Sequence, residues 1–334
     1  MSKVIVDALG SDAGPEMVAD ALADALGKES FSAVFVGPRS VYEGKLSSCS
    51  SRVELLETDT FIENTEAPVI AIRRKKDSSL VLGLHRLNQD GDVFVTAGST
   101  GALLAGAYFI TKRLEGIDRC CLCVSLPAQG GEVLIADTGA TVDASPEVLL
   151  QFAKMTSAYA RFALKKENPS VALLNVGTEE EKGDKRSKEA YQLLAQSSLN
   201  FTGNVEARSI LEGPCDIIIT DGFAGNVAVK GIEGTASFLF HKIKEAAYSS
   251  LSSKIGAFLM KGALKDLLKT YDYRAHGGAP LLGARKALYK AHGNSNAETF
   301  SLAIREALHY ADSNMLDKLK KEMEDESSRN HGQN

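Results

Sequence analysis

The sequence predicts an α/β protein with a largely parallel sheet flanked by helices. Short aliphatic runs alternate with segments of helical periodicity, and most of these runs are rich in valine, isoleucine and leucine. Strands covered by helices on both faces have this continuous hydrophobic character, and their alternation with helices is typical of parallel sheets. The predicted strands are residues 3–9, 32–37, 52–57, 92–97, 121–126, 132–137, 170–176 and 215–220.

Start signals mark three of the predicted helices between these strands. Proline is favoured at the first helical position, and serine in front of it caps the free backbone N–H groups. A serine followed three residues later by glutamate forms a capping box. We therefore expect one helix to open at Pro15, one to follow the N-cap Ser145, and one to follow the capping box of Ser295 and Glu298.

Composition narrows the class of protein and its compartment. The chain has 334 residues, 44% of them hydrophobic, and a formal net charge of −5, which argues against a nucleic-acid partner. Five cysteines, an odd number, favour a reducing compartment over a disulfide framework. Three of them lie within residues 120–123, which we interpret as part of a buried strand because free cysteine behaves as a small hydrophobe. We expect a cytoplasmic protein, because the aliphatic run at the N-terminus is too short for a signal peptide.

The predicted organisation is a single two-lobed α/β domain over residues 1–325, followed by a frayed polar tail over residues 326–334. A helical arm over about residues 248–270 interrupts the pattern, because its apolar side chains fall on two opposite faces whose phase changes near Gly262. Two short amphipathic helices explain this better than one long helix. From the residues alone, a contact within a dimer or between lobes and a contact with a membrane or an acyl chain are equally supported.

Glycine and polar residues follow five of the predicted strands. Ligands of open parallel sheets bind beyond the carboxyl ends of the strands, where glycine lets backbone N–H groups approach an anion. Together these loops predict a phosphate site. Its candidate residues are Asp7, Gly10, Asp12, Gly98, Ser99, Thr100, Gly101, Asp137, Gly139, Thr141, Asp143, Gly177, Thr178, Asp221 and Gly225, with His292 ahead of the last predicted helix.

The last of these strands ends unusually for a buried strand. The aliphatic run that ends at Ile219 is followed by Thr220 and Asp221, and then by a glycine-flanked turn that carries Asn226. We expect this turn to contribute polar side chains to the same edge of the sheet. The first strand lacks a G-x-G-x-x-G loop and the chain lacks a G-x-S-x-G elbow, so neither a dinucleotide cofactor nor a serine nucleophile is predicted. The single C-x-x-C spacing does not predict a metal site.

The loops resemble, in order along nearly the whole chain, the motifs of the bacterial phosphate acyltransferases. The stretches that carry the resemblance are VDALGSD, TAGSTGALLAG, DTGATVDASPEVLLQFA, LLNVGTEEEKG, FTGNVEAR, TDGFAGNV and KAHGNSN. The resemblance implies a fold like that of isopropylmalate dehydrogenase and phosphate acetyltransferase. It also implies transfer of a fatty acyl group from acyl carrier protein to inorganic phosphate, for phospholipid synthesis, by a homodimer that associates peripherally with the membrane and needs no cofactor.

The resemblance also implies roles for particular residues. The family's catalytic lysine and asparagine fall on Lys182 and Asn226, and its membrane-associating helices fall on the arm. There we expect membrane or acyl-chain contacts from Ile255, Phe258, Leu259 and Leu264. The chain departs from the family's usual residues at Ala13, Ser99 and Thr141. Two other functions stay open: phosphate acetyltransferase chemistry with coenzyme A, and a non-catalytic scaffold at the membrane surface.

Overall fold

The structure, a computed structural model, describes residues 1–263, 277–313 and 315–321. Twelve strands of the described residues form two sheets. They are β1 (Lys3–Asp7), β2 (Ser32–Gly37), β3 (Val53–Glu57), β4 (Val93–Thr96), β5 (Cys121–Leu122), β6 (Val124–Ala128), β7 (Gly131–Ala136), β8 (Ser170–Asn175), β9 (Asn200–Glu206), β10 (Ile217–Ile219), β11 (Gly278–Leu282) and β12 (Ala287–Ala291).

The first sheet has seven strands in the order β3-β2-β1-β4-β12-β11-β5. Its first five strands are parallel, and β11 and β5 continue it in antiparallel pairing. The second sheet has the order β6-β7-β10-β8-β9, with only the β6–β7 pair antiparallel. The predicted α/β class with mostly parallel strands is therefore confirmed. A buried apolar cluster contains side chains of both sheets, among them Val4, Leu134 and Ile217.

The cysteine-rich segment connects the two sheets. We predicted one strand over residues 121–126, but β5 pairs with β11 in the first sheet and β6 pairs with β7 in the second. The chain therefore changes sheet at Cys123. Cys120, Cys121 and Cys123 are buried and free, as the hydrophobic interpretation required, and burial raises the pKa of each thiol.

The described helices cover the sheets and connect the parallel strands. They are α1 (Gly14–Lys28), α2 (Arg39–Lys45), α3 (Pro68–Arg74), α4 (Ser79–Asp90), α5 (Thr100–Gly106), α6 (Pro146–Ala163), α7 (Lys185–Ala195), α8 (Gly222–Tyr248), α9 (Leu251–Leu259) and α10 (Ala297–Asp312). The Ser145 cap of α6 is confirmed, because its hydroxyl accepts the Val148 N–H at 3.3 Å. The predicted capping box of α10 is wrong: Asn296 is its N-cap and accepts the Thr299 N–H at 2.9 Å.

The predicted arm is helical over its described part, but its boundaries differ from the prediction. The long helix α8 continues to Tyr248, Ser250 caps α9, and α9 ends at Leu259 with Met260 in a turn, just before Gly262. Ile255, Phe258 and Leu259 are exposed on α9. Leu264, the rest of the arm and the predicted tail lie outside the described residues. None of the described helices combines the length and the apolar character that a membrane span requires.

Candidate active site

The carboxyl ends of strands from both sheets enclose a cavity of about 430 Å³. The first sheet contributes the residues that follow β4 and the end of β12, and the second contributes the loop after β7 and the first turns of α8. The volume is within the range of small-molecule sites, about 300–1,000 Å³. Among the lining residues are five of the predicted ones, namely Gly98, Thr100, Gly139, Asn226 and His292.

Asp7 is buried behind the first-sheet wall of this cavity and supports the loop after β4. It is buried, and its carboxylate accepts the Thr96 hydroxyl at 2.7 Å and the Leu9 N–H at 3.1 Å. The Thr96 hydroxyl in turn accepts the Gly98 N–H at 2.9 Å. Burial raises the pKa of Asp7 to about 6, against the opposing effect of its hydrogen bonds. We therefore revise its predicted role from ligand contact to support of the loop after β4.

Asp137 has the same relation to the loop after β7. Its side chain is fully buried and accepts the backbone N–H groups of Leu122, Thr138, Gly139, Ala140 and Thr141. Burial raises its pKa, and these hydrogen bonds oppose the rise. A carboxylate that gathers so many N–H groups of one turn fixes the shape of that turn. We revise Asp137 too from ligand contact to loop support.

The predicted hydroxyl-bearing residues Ser99, Thr100 and Thr141 differ in their position relative to the cavity. Ser99 and Thr141 are buried: Ser99 Oγ caps α5 by accepting the Ala102 N–H at 3.4 Å, and Thr141 Oγ1 donates to the Cys120 carbonyl at 3.1 Å. Neither lines the cavity, whereas Thr100 and Thr138 do. The hydroxyl-bearing residues of the described cavity wall are therefore Thr100, which was predicted, and Ser125 and Thr138, which were not.

The stretch after β10 is a helix start instead of the predicted turn. Asp221 is the N-cap of α8 and accepts the Ala224 N–H at 2.7 Å, while Arg186 pairs with its other oxygen at 2.5 Å. Asn226 thus lies in the second turn of α8, on the cavity wall. The strand ends in polar residues because they cap this helix and aim its second turn at the cavity.

Gly225 is required by the close packing of α8 on the loop after β7. A Cβ atom there would lie 1.9 Å from the Asp137 carbonyl oxygen, well inside van der Waals contact. On the neighbouring Gly139, a Cβ atom would lie 3.8 Å from Asn226 Oδ1. The two glycines therefore bring Asn226 against the loop that Asp137 organises.

Lys182 lies in the loop between β8 and α7. Its side chain is exposed, next to the buried Gly177, and it is not among the residues that line the 430 Å³ cavity. The following residues, Gly183 and Asp184, line a separate cavity of about 310 Å³ together with Asp221. Of the two residues for which the resemblance implies catalytic roles, Asn226 therefore lines the 430 Å³ cavity and Lys182 does not.

The remaining predicted residues lie around the main cavity. Gly10 and Asp12 line a groove of about 450 Å³, and Asn64 belongs to both this groove and the main cavity. The Asp12 N–H donates to the Gly293 carbonyl at 3.1 Å, which joins the groove to the loop after β12. Gly101 faces Pro68, whereas Thr178 and Asp143 are exposed on their loops.

Two lysines of the cavity wall were missing from the sequence prediction. Lys290 ends the buried run of β12, and Lys230 projects from α8. Burial lowers the pKa of Lys290 to about 8, although Asp12 and Asp7 oppose this decrease. The available signal was the position of Lys290 two residues before His292, within one of the quoted motifs.

The fold is that of the phosphotransacetylases. A phosphotransacetylase from Streptococcus pyogenes superposes with a TM-score of 0.60 over 93% of this chain and 94% of its own, at 17% identity. EutD phosphotransacetylase from Staphylococcus aureus gives a TM-score of 0.58 at 16% identity, covering 93% of this chain and 94% of its own. At these identities the likeness concerns the fold alone.

Sequence similarity defines the family. The family described as "Fatty acid synthesis protein" matches residues 2–318. The phosphate acyltransferase of Thermoanaerobacter pseudethanolicus is 41% identical over 96% of this chain and 97% of its own length. The phosphate acyltransferase of Geobacillus sp. (strain WCH70) is 42% identical over 98% of this chain and 100% of its own length. The chain therefore belongs to the phosphate acyltransferase family, and it is an acyltransferase.

Proposed function

We propose that the protein transfers a long-chain fatty acyl group from acyl carrier protein to inorganic phosphate, producing acyl phosphate for phospholipid synthesis. The observation that carries this proposal is the composition of the 430 Å³ cavity. Its polar wall has Thr100, Asn226 and Lys290, and its apolar wall includes Leu126 and Phe223. Such a site accommodates an anion and an alkyl chain side by side.

The proposed reaction is a direct attack of phosphate on the thioester, without an acyl-enzyme. A phosphate oxygen bonds to the carbonyl carbon, the carbon–sulfur bond breaks, and the proton of hydrogen phosphate is transferred to the departing sulfur. Holding the two reactants together removes much of the barrier, since phosphate is already an oxyanion. The Asn226 amide would donate to the carbonyl oxygen as it becomes negative, a role worth about 10²–10³ in rate.

Lys182 is proposed to neutralise the incoming phosphate, as the resemblance implies. Its exposed side chain, which does not line the 430 Å³ cavity, suits a residue that meets phosphate as it enters. We expect the rate lost by Lys182→Ala to exceed that lost by Asn226→Ala at low phosphate, and the excess to disappear at saturating phosphate. Equal losses at every phosphate concentration would contradict this division of roles.

The apolar wall of the cavity favours a long acyl chain over acetyl. Leu122, Val124 and Leu126, from the segment that crosses between the sheets, line the cavity, and so do the exposed side chains of Val142 and Phe223. An acetyl group would leave most of this apolar surface in contact with water. Transfer of acetyl from coenzyme A is the second candidate, because the fold is shared with phosphotransacetylases.

Phosphate-dependent cleavage of a long-chain acyl carrier protein thioester tests the proposal. Hydroxylamine traps acyl phosphate as it forms, so the product is measured directly. We expect trapped product that disappears when phosphate is omitted. Product from acetyl coenzyme A but none from the carrier thioester would establish the acetyltransferase alternative. Absence of product from both substrates, with the protein folded, would leave only the non-catalytic scaffold.

Peripheral membrane association of a cytoplasmic homodimer is also proposed. On α9, Phe258 and Leu259 are 75% and 78% exposed, and α8 exposes Phe238, Leu239 and Ile243 as well. Exposed apolar side chains on this scale mark an interaction surface, either with lipid or with a second copy of the chain. We assign the α9 side chains to lipid and those of α8 to the second copy.

Charged substitutions separate the two contacts. Phe258→Glu with Leu259→Glu should reduce cosedimentation with anionic vesicles and leave the sedimentation coefficient unchanged. Ser249→Glu with Ser252→Glu adds the same two negative charges at exposed polar positions, just before and within α9, and serves as the control. Unchanged vesicle binding by the double variant would refute the lipid assignment. A monomer in analytical ultracentrifugation of the unmodified protein would refute the homodimer.

A further inference from the structure

Lys290 lies where the two first-sheet loops of the cavity meet. Its Nζ donates to the carbonyl oxygens of Ala97 and Ala291, at 3.0 and 2.5 Å. These carbonyls mark the ends of β4 and β12, the neighbouring strands that are followed by Gly98 and His292. An ammonium group has three N–H donors. The two carbonyls take two of them, and since Lys290 lines the cavity, the third is available to a ligand there.

Among the described residues, the ammonium group of Lys290 forms no ion pair with a carboxylate. Of the two lysines that line it, Lys230 forms an ion pair with Glu233 at 2.7 Å, so their charges compensate each other. The hydrogen bonds of Lys290 among the described residues go to neutral carbonyls. A half-buried cation held in this way attracts an anion more strongly than a solvated one, because water screens it less.

The nearby carboxylates are directed elsewhere. Asp7 is buried and accepts hydrogen bonds from Thr96 and Leu9, and Asp12 is exposed on the neighbouring groove. Both still favour the charged form of Lys290, while burial and Lys230 disfavour it, and the resulting pKa of about 8 leaves the ammonium mostly protonated at neutral pH. Lys290 therefore presents a positive charge to the cavity near neutral pH, where phosphate is a mixture of its monoanion and dianion.

We propose that Lys290 is the residue that holds inorganic phosphate inside the cavity, through the third N–H of its ammonium group. This inference rests on the proposed function and adds a binding residue to it. Phosphate would sit between the ends of β4 and β12, across the cavity from Asn226. Lys182, which does not line the cavity, would then act on phosphate during entry and not at its bound position.

Direct binding of inorganic phosphate, measured by titration calorimetry without any acyl substrate, tests this role. Lys290→Met should weaken phosphate binding about 10- to 100-fold, the usual range for loss of one charge-assisted hydrogen bond. Lys290→Arg, which keeps the charge, should restore most of the affinity. Lys286→Met is the matched control, because Lys286 precedes the same strand, donates to the Gly91 carbonyl and does not line the cavity.

Phosphate affinity of the Lys290→Met protein equal to that of the unmodified protein would overturn the inference. A second measurement decides the case if this variant fails to fold. In the unmodified protein, phosphate affinity should fall between pH 7.5 and 9.5 as Lys290 loses its proton, whereas phosphate itself stays a dianion. The other groups that face Lys290 are Asp7, Asp12, Lys230 and His292. Constant affinity across this range would also exclude Lys290.

Kinetics separate this inference from the proposed function. If the unmodified protein forms acyl phosphate and Lys290→Met raises the KM for phosphate while the KM for the acyl substrate is unchanged, both hold. If the unmodified protein forms product and the variant keeps its phosphate KM, Lys290 is excluded and the function stands. If the unmodified protein binds phosphate through Lys290 but forms no product, the proposed function fails and the binding site stands.

Discussion

Replacing Gly225 with alanine tests whether the packing of α8 on the loop after β7 positions Asn226. The added Cβ atom would lie 1.9 Å from the Asp137 carbonyl oxygen, whereas ordinary contact begins at 3.4 Å. Either the helix start or the loop must therefore move by about 1.5 Å. The loop resists movement because the buried Asp137 side chain holds its N–H groups, so we expect the first turns of α8 to shift.

The magnitude of the effect follows from this displacement. A catalytic group misplaced by about 1 Å loses on the order of 10² in rate, because proximity and alignment fail together. Asn226 directly follows Gly225, so it moves with it. We predict that Gly225→Ala lowers kcat at least 100-fold, and also lowers the thermal midpoint because the new contact is with rigid backbone.

Acyl phosphate trapped with hydroxylamine at saturating phosphate gives kcat, and circular dichroism establishes that the variant is folded. Gly231→Ala is the matched control: Gly231 is in the same helix, and a Cβ atom there would meet nothing within 4 Å. Alanine is favoured over glycine in a helix by about 1 kcal/mol, so the control should keep its activity and gain stability. A folded Gly225→Ala protein with unchanged kcat would refute the positioning argument.

Three further predictions concern the same site. Asn226→Ala should lower kcat about 10²–10³-fold with little change in the KM for phosphate, measured in the trapping assay. Asp7 has a native pKa of about 6, above its ordinary 3.8, so its stabilising contribution is present below pH 3.8 and is lost as pH rises through 6. Denaturant titrations should therefore show Asp7→Asn gaining about 3 kcal/mol relative to the unmodified protein between pH 3.5 and 7, and a pH-independent difference would contradict the assignment. In the same titrations, Asp221→Ala should destabilise the protein by about 3 kcal/mol, since it removes a helix cap and the close ion pair of the partly buried Arg186, which keeps only Asp184 at 3.9 Å. Asp184→Ala removes an exposed cap and only the longer ion pair, and should cost about 1 kcal/mol.

The sequence predicted those strands whose residues are uniformly aliphatic. Seven predicted strands correspond to β1–β4, β7, β8 and β10, because burial on both faces requires a continuous apolar run. The eighth, the cysteine-rich run, was divided between two sheets. Three strands were missed for a common reason. β9 is a polar edge strand with Gly203 in its middle, and β11 and β12 are short runs without a dense aliphatic signal.

Missing β12 had a direct consequence for the site. Lysine in an unassigned segment suggests a solvated surface, so the only signal for Lys290 was its place in the KAHGNSN motif, two residues before His292. Its importance depends on the register of β12 beside β4, which pairs Lys290 with Thr96 and brings the Ala97 carbonyl to its ammonium. Register between strands almost two hundred residues apart is a tertiary property. No local pattern contains it, whereas Asn226 was found because its surroundings are local.

The predicted polar residues also fall into two groups that the sequence does not distinguish: some are buried beneath the loops, and others line the cavity. Asp7 and Asp137 each end or follow a buried strand, and both accept backbone N–H groups of the loop that follows, from Leu9 and Thr138 respectively. The groups that reach the cavity, such as Thr100 and Asn226, come one or two turns later, on helices. A carboxylate at the end of a strand would repel phosphate if it faced the cavity. Because Asp7 and Asp137 are buried beneath the loops instead, phosphate can approach Lys290. The motifs of this family therefore combine two functions, support of loops and contact with ligand. Substitution of the supporting residues should change stability and kcat together, whereas substitution of Lys290 should change phosphate affinity alone.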